Sequence, residues 1–261
     1  MVDIVIGDEH CRGKFKNIYS KIKDRKDIRY IICVGDYFDP YQSMMLEERI
    51  SNFNEIVEIA KADKRVMLFF GNHDMHYLID TGDKSRIDYW NIPYISHEFY
   101  KNLDLFHICM ELNKDTVVSH AGVSTEWMKA FGFTSVEDVD TKLMNALKSV
   151  NKDEESDKIL QSLRYYYGDD SGYGNHILQP PTWIRPPALL ETDWKWTTQI
   201  VGHTRTDSKQ TKEYFFYNIK DEINYDDLKF DGNVETIVKG DKKLVMVDTG
   251  ENLDTYLEVF N

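Results

Sequence analysis

Tyr30-Ile31-Ile32-Cys33-Val34-Gly35-Asp36-Tyr37-Phe38-Asp39 is a β-branched apolar run that stops at a glycine and delivers two aspartates. Such a run reads as a buried strand. The glycine permits a sharp turn and close backbone approach, so the side chains just beyond it can point into a shared crevice. The pattern recurs along the chain. Val2-Asp3-Ile4-Val5-Ile6 leads into Gly7-Asp8-Glu9-His10, Val66-Met67-Leu68-Phe69-Phe70 into Gly71-Asn72-His73-Asp74, and Thr198-Gln199-Ile200-Val201 into Gly202-His203-Thr204. A fifth run, Thr116-Val117-Val118, ends in Ser119-His120-Ala121-Gly122. Open α/β sheets place their ligands outside the carboxyl ends of the strands, so carboxylates, imidazoles and an amide from five strand ends are expected on one rim. Any one of these blocks alone is an ordinary turn. Together, buried Asp8, Asp36 and Asp39 would be electrostatically costly without cations. A mixed oxygen and nitrogen donor set with no thiolate suits Mn, Fe, Zn or Mg.

In their order and spacing these blocks resemble the calcineurin-like metallophosphoesterase superfamily. Gly202-His203-Thr204-Arg205, Ser119-His120-Ala121-Gly122-Val123-Ser124 and Val247-Asp248-Thr249-Gly250 are most similar to its phosphoprotein phosphatase branch and the bacterial and phage relatives. The resemblance covers residues 1–124 and 198–250. It implies a four-layer α/β/β/α sandwich of two mixed sheets and two divalent cations, with manganese the first choice and Fe, Zn or Mg the others. Asp8, His10 and Asp36 would hold one cation. Asp36, Asn72, His120 and His203 would hold the second, with Asp36 bridging. Two such cations activate water and clamp a phosphoryl group for in-line displacement. Carried over in the same way, His73 is the general acid that protonates the leaving group and Asp39 the carboxylate that orients it.

Two departures from the family pattern bear on substrate binding. The protein phosphatases follow the second aspartate with Arg-Gly, and that arginine grips phosphate; here Pro40-Tyr41 follows Asp39. Arg12, next to the His10 block, is one candidate replacement, and Asn72 a further substrate contact. Arg185, in Pro181-Thr182-Trp183-Ile184-Arg185, resembles the second phosphate-binding arginine of the bacterial branch, where a planar fork binds two oxygens at once. The leading functional reading is a phosphomonoesterase of the serine/threonine protein phosphatase type. A dinucleoside polyphosphate hydrolase and an RNA-end phosphatase or 2',3'-cyclic phosphodiesterase stand as alternatives. A catalytically silent binding module on the same fold is the reading from another class. The expected partner is a phosphorylated substrate: a phosphoprotein, a nucleotide or an RNA end.

Composition narrows these readings. A length of 261 residues fits a single metallophosphoesterase domain spanning 1–261. The formal net charge of −13 disfavours long nucleic acid, because phosphate contacts dominate such binding. No apolar run reaches the ~20 residues of a membrane span. The first strand starts almost at the first residue, leaving no room for a signal peptide, so a cytoplasmic location is expected. Three cysteines without Cys-x-x-Cys spacing read as thiols. Cys11, beside a presumed ligand, is the thiol whose oxidation would matter. His76, His97, His107 and His176 carry no motif and read as structural or exposed.

Amphipathic spacing predicts helices over Phe15–Arg25 and Leu46–Ala62, alternating with the motif strands, and a strand from Tyr100–Ile108 toward Thr116. Residues 124–197 break the alternation. Helices are expected over Ser135–Val150 and Glu154–Tyr167, followed by an aromatic stretch and a Pro- and Trp-rich one ending at Trp196. This insert leaves and rejoins the sheet between two ligand blocks, so it is expected to form a cap or substrate wall. Tyr214–Tyr217 and Leu244–Val247 predict strands of a second sheet.

Overall fold

The first three apolar runs form β1 (Val2–Ile6), β2 (Ile28–Cys33) and β3 (Val66–Phe69), side by side and parallel in the computed structural model. The structure describes residues 1–149, 153–167, 174–205, 228–230 (backbone only), 234–250 and 252–261. Between the strands run α1 (Lys14–Ile22), α2 (Leu46–Ala62), the single turn α3 (Asn72–Met75) and α4 (Ile92–Tyr100). After α4 come β4 (Phe106–His107), β5 (Cys109–Asn113) and β6 (Thr116–Ser119). The insert follows as α5 (Thr125–Ala130), α6 (Val136–Lys148), α7 (Glu154–Gln161) and α8 (Pro186–Glu191). The chain then returns through β7 (Thr198–Val201), β8 (Leu228–Phe230), β9 (Glu235–Lys239), β10 (Lys242–Met246) and β11 (Leu257–Phe260).

Two mixed sheets result, ordered β11-β1-β2-β3-β4 and β5-β6-β7-β10-β9-β8. Strand alternation distributes the side chains among the layers. Ile4 and Ile6, Ile31 and Cys33, and Leu68 and Phe70 face the core shared with α1, α2 and α4. Their alternates Val5, Ile32, Val34 and Phe69 meet Val118, Ile200, Val245 and Val247 of the other sheet in a separate core. On that sheet's far side, Val201, Leu244 and Met246 pack against Ala188, Leu189 and Leu190 of α8. Helix, sheet, sheet and helix therefore stack as four layers. The motif strands are buried on both faces over most of their length, which explains why these runs are mostly apolar and not alternating.

Several expectations shift in detail. The predicted strand from Tyr100 is instead the end of α4, a 3₁₀ turn at Leu103–Leu105 and two short strands, one in each sheet. The helix expected to reach Tyr167 stops at Gln161. Ser124, Ser135 and Asp153 each accept a backbone N–H at the starts of α5, α6 and α7, so the insert's helices begin at side-chain caps. Tyr214–Tyr217 lies outside the described residues. Among the described residues, no helix is long and apolar enough to cross a membrane.

Candidate metal centre

Among the described residues, six non-glycine residues take left-handed backbone conformations: His10, Cys11, Asp36, Asp39, Arg86 and His203. Such conformations cost L-residues roughly 1–2 kcal/mol each, and here the loops are interlocked tightly enough to hold them. Glu9, His10 and Cys11 donate backbone N–H groups to Gly35, Asp36 and Tyr37 at 3.1, 2.6 and 3.2 Å, joining the first loop to the second. Asp74 clasps the second to the third: Oδ2 accepts from Asp36 N and Gly71 N at 2.7 and 2.9 Å, and Oδ1 from Tyr37 N at 2.9 Å. His203 N donates to both oxygens of Asp8 at 3.0 and 3.1 Å. Two glycines allow the close approach. A Cβ on Gly71 would sit 2.1 Å from Asp36 Oδ1, and one on Gly202 would sit 2.2 Å from Asp8 Oδ1.

The structure brings the six expected ligands together, all of them buried. His10 Nε2 lies 3.4 Å and His120 Nε2 3.6 Å from Asp36 Oδ2. Asn72 Oδ1 is 3.1 Å from His120 Nε2 and 2.9 Å from His203 Nδ1. Asp8 Oδ1 is 3.9 Å from His120 Nδ1. Backbone carbonyls fix two of the tautomers. His10 Nδ1 lies 3.1 Å from Asp39 O, and His120 Nδ1 lies 2.8 Å from Val34 O. A carbonyl only accepts, so each Nδ1 carries the hydrogen and each Nε2 presents a lone pair toward the Asp36 carboxylate.

Donor atoms of Asp36, His10, His120 and Asn72 therefore converge. Burial lowers the pKa of His10 to about 4, against the attraction of Asp36, and lowers that of His120 from the ordinary histidine value. Burial, with the nearby Arg185 charge, holds that of His203 well below the ordinary value. Neutral imidazole is the ligating form. Burial raises the Asp8 carboxyl well above the usual range, reinforced by Asp248 and Asp36. At Asp36 burial pushes upward too, but the surrounding His120, His73 and His10 rings and the His73 backbone N–H outweigh it and hold the carboxyl low. Donor atoms of Asp8, His10 and Asp36 lie within 4.8 Å of one another. Hard divalent cations fit this donor set.

Beside the cluster stands a second group. His73 Nδ1 lies 2.9 Å from Asp39 Oδ2, while the His73 backbone N–H donates to Asp36 Oδ1 at 3.0 Å. Tyr77 donates its hydroxyl to Asp39 Oδ1. His76, read from sequence as structural, places Nε2 2.9 Å from the Asp39 oxygen that His73 uses, outside hydrogen-bond geometry. Asp39 is buried, yet the His73 and His76 contacts more than offset the cost and lower its pKa. Only the Asn72-His73 spacing hinted at His76, and nothing local pointed to Tyr77.

The two candidate arginines are held differently. Arg12 does not reach into the cluster: its guanidinium donates to Asp8 O, Glu9 O and Gly250 O at 2.6, 3.2 and 2.5 Å and lies 3.5 Å from Asp248 Oδ1. With its donors turned to the chain, it fastens the first loop to the Asp248 loop. Arg185 sits beside the ligand loop, donating to His203 O and Thr204 Oγ1 at 3.1 Å each. Its guanidinium is 5.9 Å from the Trp183 ring, which meets His203 edge-on at 5.1 Å. Cys11 is buried, its thiol pushed up to about 12 by burial, so the thiolate needed for oxidation is not available at neutral pH.

A buried carboxylate, imidazole and amide cluster at the strand ends of a two-sheet sandwich defines a class, the metal-dependent phosphoester hydrolases. The chain belongs to the calcineurin-like phosphoesterase family, whose profile matches residues 4–206. A metallophosphoesterase from Sphaerobacter thermophilus is similar in structure at 12% identity, with a TM-score of 0.42, covering 100% of this chain and 89% of that one. A serine/threonine phosphatase from Saccharomyces cerevisiae, described as similar to human phosphatase PP5, is similar at 13% identity and a TM-score of 0.43, covering 98% of this chain and 70% of that one. No curated protein matches the chain.

Proposed function

We propose that the protein is a phosphomonoesterase of the serine/threonine protein phosphatase type, using two divalent cations, manganese first among them. Asp8, His10 and Asp36 would hold one cation and Asp36, Asn72, His120 and His203 the other. When bound, such a pair activates water and neutralises phosphoryl charge. The remaining work falls to side chains. Asp39 fixes the His73 ring through Nδ1, which leaves Nε2 to hand a proton to the departing alkoxide. Arg185, whose guanidinium lies beside the His203 loop, would bind phosphoryl oxygens through its planar fork. Residues 124–197 act as the wall of the substrate cleft: Ala121 N donates to Pro181 O at 2.7 Å, seating this segment against the His120 loop.

The observation that carries the reading is the convergence of the His10, His120 and Asn72 donor atoms around Asp36 next to a His73 ring oriented by Asp39. Metal analysis and two model esters test it. The purified protein should hold about two equivalents of transition metal and, with Mn, hydrolyse p-nitrophenyl phosphate faster than bis-p-nitrophenyl phosphate. Preference for the diester would support the cyclic phosphodiesterase alternative. Fewer than two equivalents with no turnover of either ester would leave a binding module on the same fold.

A further inference from the structure

We propose that Arg86, held on the ring of Tyr41, is the phosphoryl-binding guanidinium that complements Arg185 at the mouth of the metal centre; the assignment rests on the phosphoesterase reading above. Tyr41 takes the position two residues past Asp39 and keeps 46% of its surface exposed. Its ring meets His10, an expected ligand, edge-on at 4.8 Å. Guanidiniums gather on it. Arg86 lies 4.0 Å from the ring centroid, Arg205 4.9 Å and Arg12 5.8 Å. Arg12 is committed to backbone carbonyls, and Arg205 follows the His203 ligand loop directly. Arg86 comes from a loop of its own, 47 residues beyond Asp39, and donates Nη2 to the Asp39 carbonyl, the same oxygen that His10 Nδ1 approaches at 3.1 Å.

Two further observations set this exposed arginine apart. Among the described residues it forms no ion pair, although the chain is acidic and most of its other arginines meet carboxylates. Among the described residues it is also the only non-glycine one outside the loops of the clustered donors and the His73–Asp39 pair in a left-handed conformation. Strain of that kind persists where the surroundings over-determine the geometry. One carbonyl and one aromatic face fix the guanidinium plane, leaving other N–H groups for an anion. Cation–π contact on a tyrosine suits a guanidinium better than an ammonium. The natural anion is a dianionic phosphomonoester or inorganic phosphate, whose extra oxygen charge a diester lacks.

Arg86→Gly removes the guanidinium and tolerates the positive φ, so backbone strain does not confuse the result; Arg86→Lys keeps the charge without the fork; Tyr41→Leu removes the platform. Inorganic phosphate binding by calorimetry, manganese content, and kcat and KM on p-nitrophenyl phosphate and bis-p-nitrophenyl phosphate are measured for each. Losing one charge-assisted contact should weaken phosphate binding and kcat/KM for the monoester about 10- to 100-fold in Arg86→Gly and Tyr41→Leu. Arg86→Lys should recover only part of this. Metal content should stay near wild type and diester kcat/KM change less than about 3-fold. Unchanged phosphate affinity, or equal losses on both esters, would overturn the assignment. Wild-type protein that turns over neither ester would instead sink the phosphoesterase reading, while the calorimetric comparison would still decide the role of Arg86.

Discussion

His73 differs from the six clustered donors in what its neighbours leave available. Its Nδ1 is taken by Asp39 Oδ2 at 2.9 Å and its backbone N–H by Asp36 Oδ1. Only Nε2 can exchange a proton with a substrate. Replacing His73 by Ala should therefore lower kcat by roughly 10²- to 10⁴-fold, the range for general acid catalysis. Metal content, checked by elemental analysis, should remain that of the wild type. Full turnover in the variant would remove His73 from proton transfer. At this scale the clustering of the six donors and the His73–Asp39 contact were legible, because all but His120 stand just past a glycine that ends an apolar run, and His120 stands just past the run of β6. His76, Tyr77 and Arg86 were not, since their roles depend on which side of Asp39 the chain passes after α3.

The elements matter here chiefly through their ends. Apolar runs and glycines predicted β1, β2, β3, β6 and β7, and the 17-residue α2 matches the amphipathic expectation at both ends. What the sequence did not disclose is how the loops beyond the strands bend: His10, Asp36, Asp39 and His203 adopt left-handed conformations that asparagine or glycine would signal. Contacts between loops, such as those of Asp74, impose that geometry, and such contacts are nonlocal. Gly71 joins β3 to α3 and provides a sharp test. A methyl group there would lie 2.1 Å from Asp36 Oδ1 and 2.7 Å from His120 Cε1, so the Asp36 and His120 loops must move. Gly71→Ala should lose at least one metal equivalent and destabilise the protein by about 1–3 kcal/mol, the usual cost of overpacking a tight interior. Elemental analysis and denaturant melts read both effects. Wild-type metal content would show that the loops yield without disturbing the donors.

Across the whole molecule, two sheets pressed together bury a set of neutral imidazoles and opposed carboxylates that the fold alone does not satisfy. Four-layer packing follows from strands apolar on both faces, and the acidic composition says little about it. The stability consequence can be worked through in sign. In the metal-free protein the pKa of His10 is about 4, below the ordinary histidine value of 6.5, and those of His120 and His203 are also lowered. A depressed folded-state value means that the unfolded chain binds more protons over the interval between the two values. The stabilising effect of keeping His10 neutral is therefore complete above about pH 6.5 and diminishes as the pH falls toward 4. Metal-stripped protein should melt progressively earlier from pH 7 to pH 5, and His10→Asn should flatten that slope. Cations bind the folded arrangement and not the open chain, so at pH 7 manganese at about 100 times its dissociation constant should add ~2.7 kcal/mol per site. For a chain of this size that corresponds to a rise of roughly 5–10 °C in Tm, with chelator reversing it. A melting temperature indifferent both to manganese and to pH over this range would mean that the converging donors neither take up cations nor remain unprotonated in the fold.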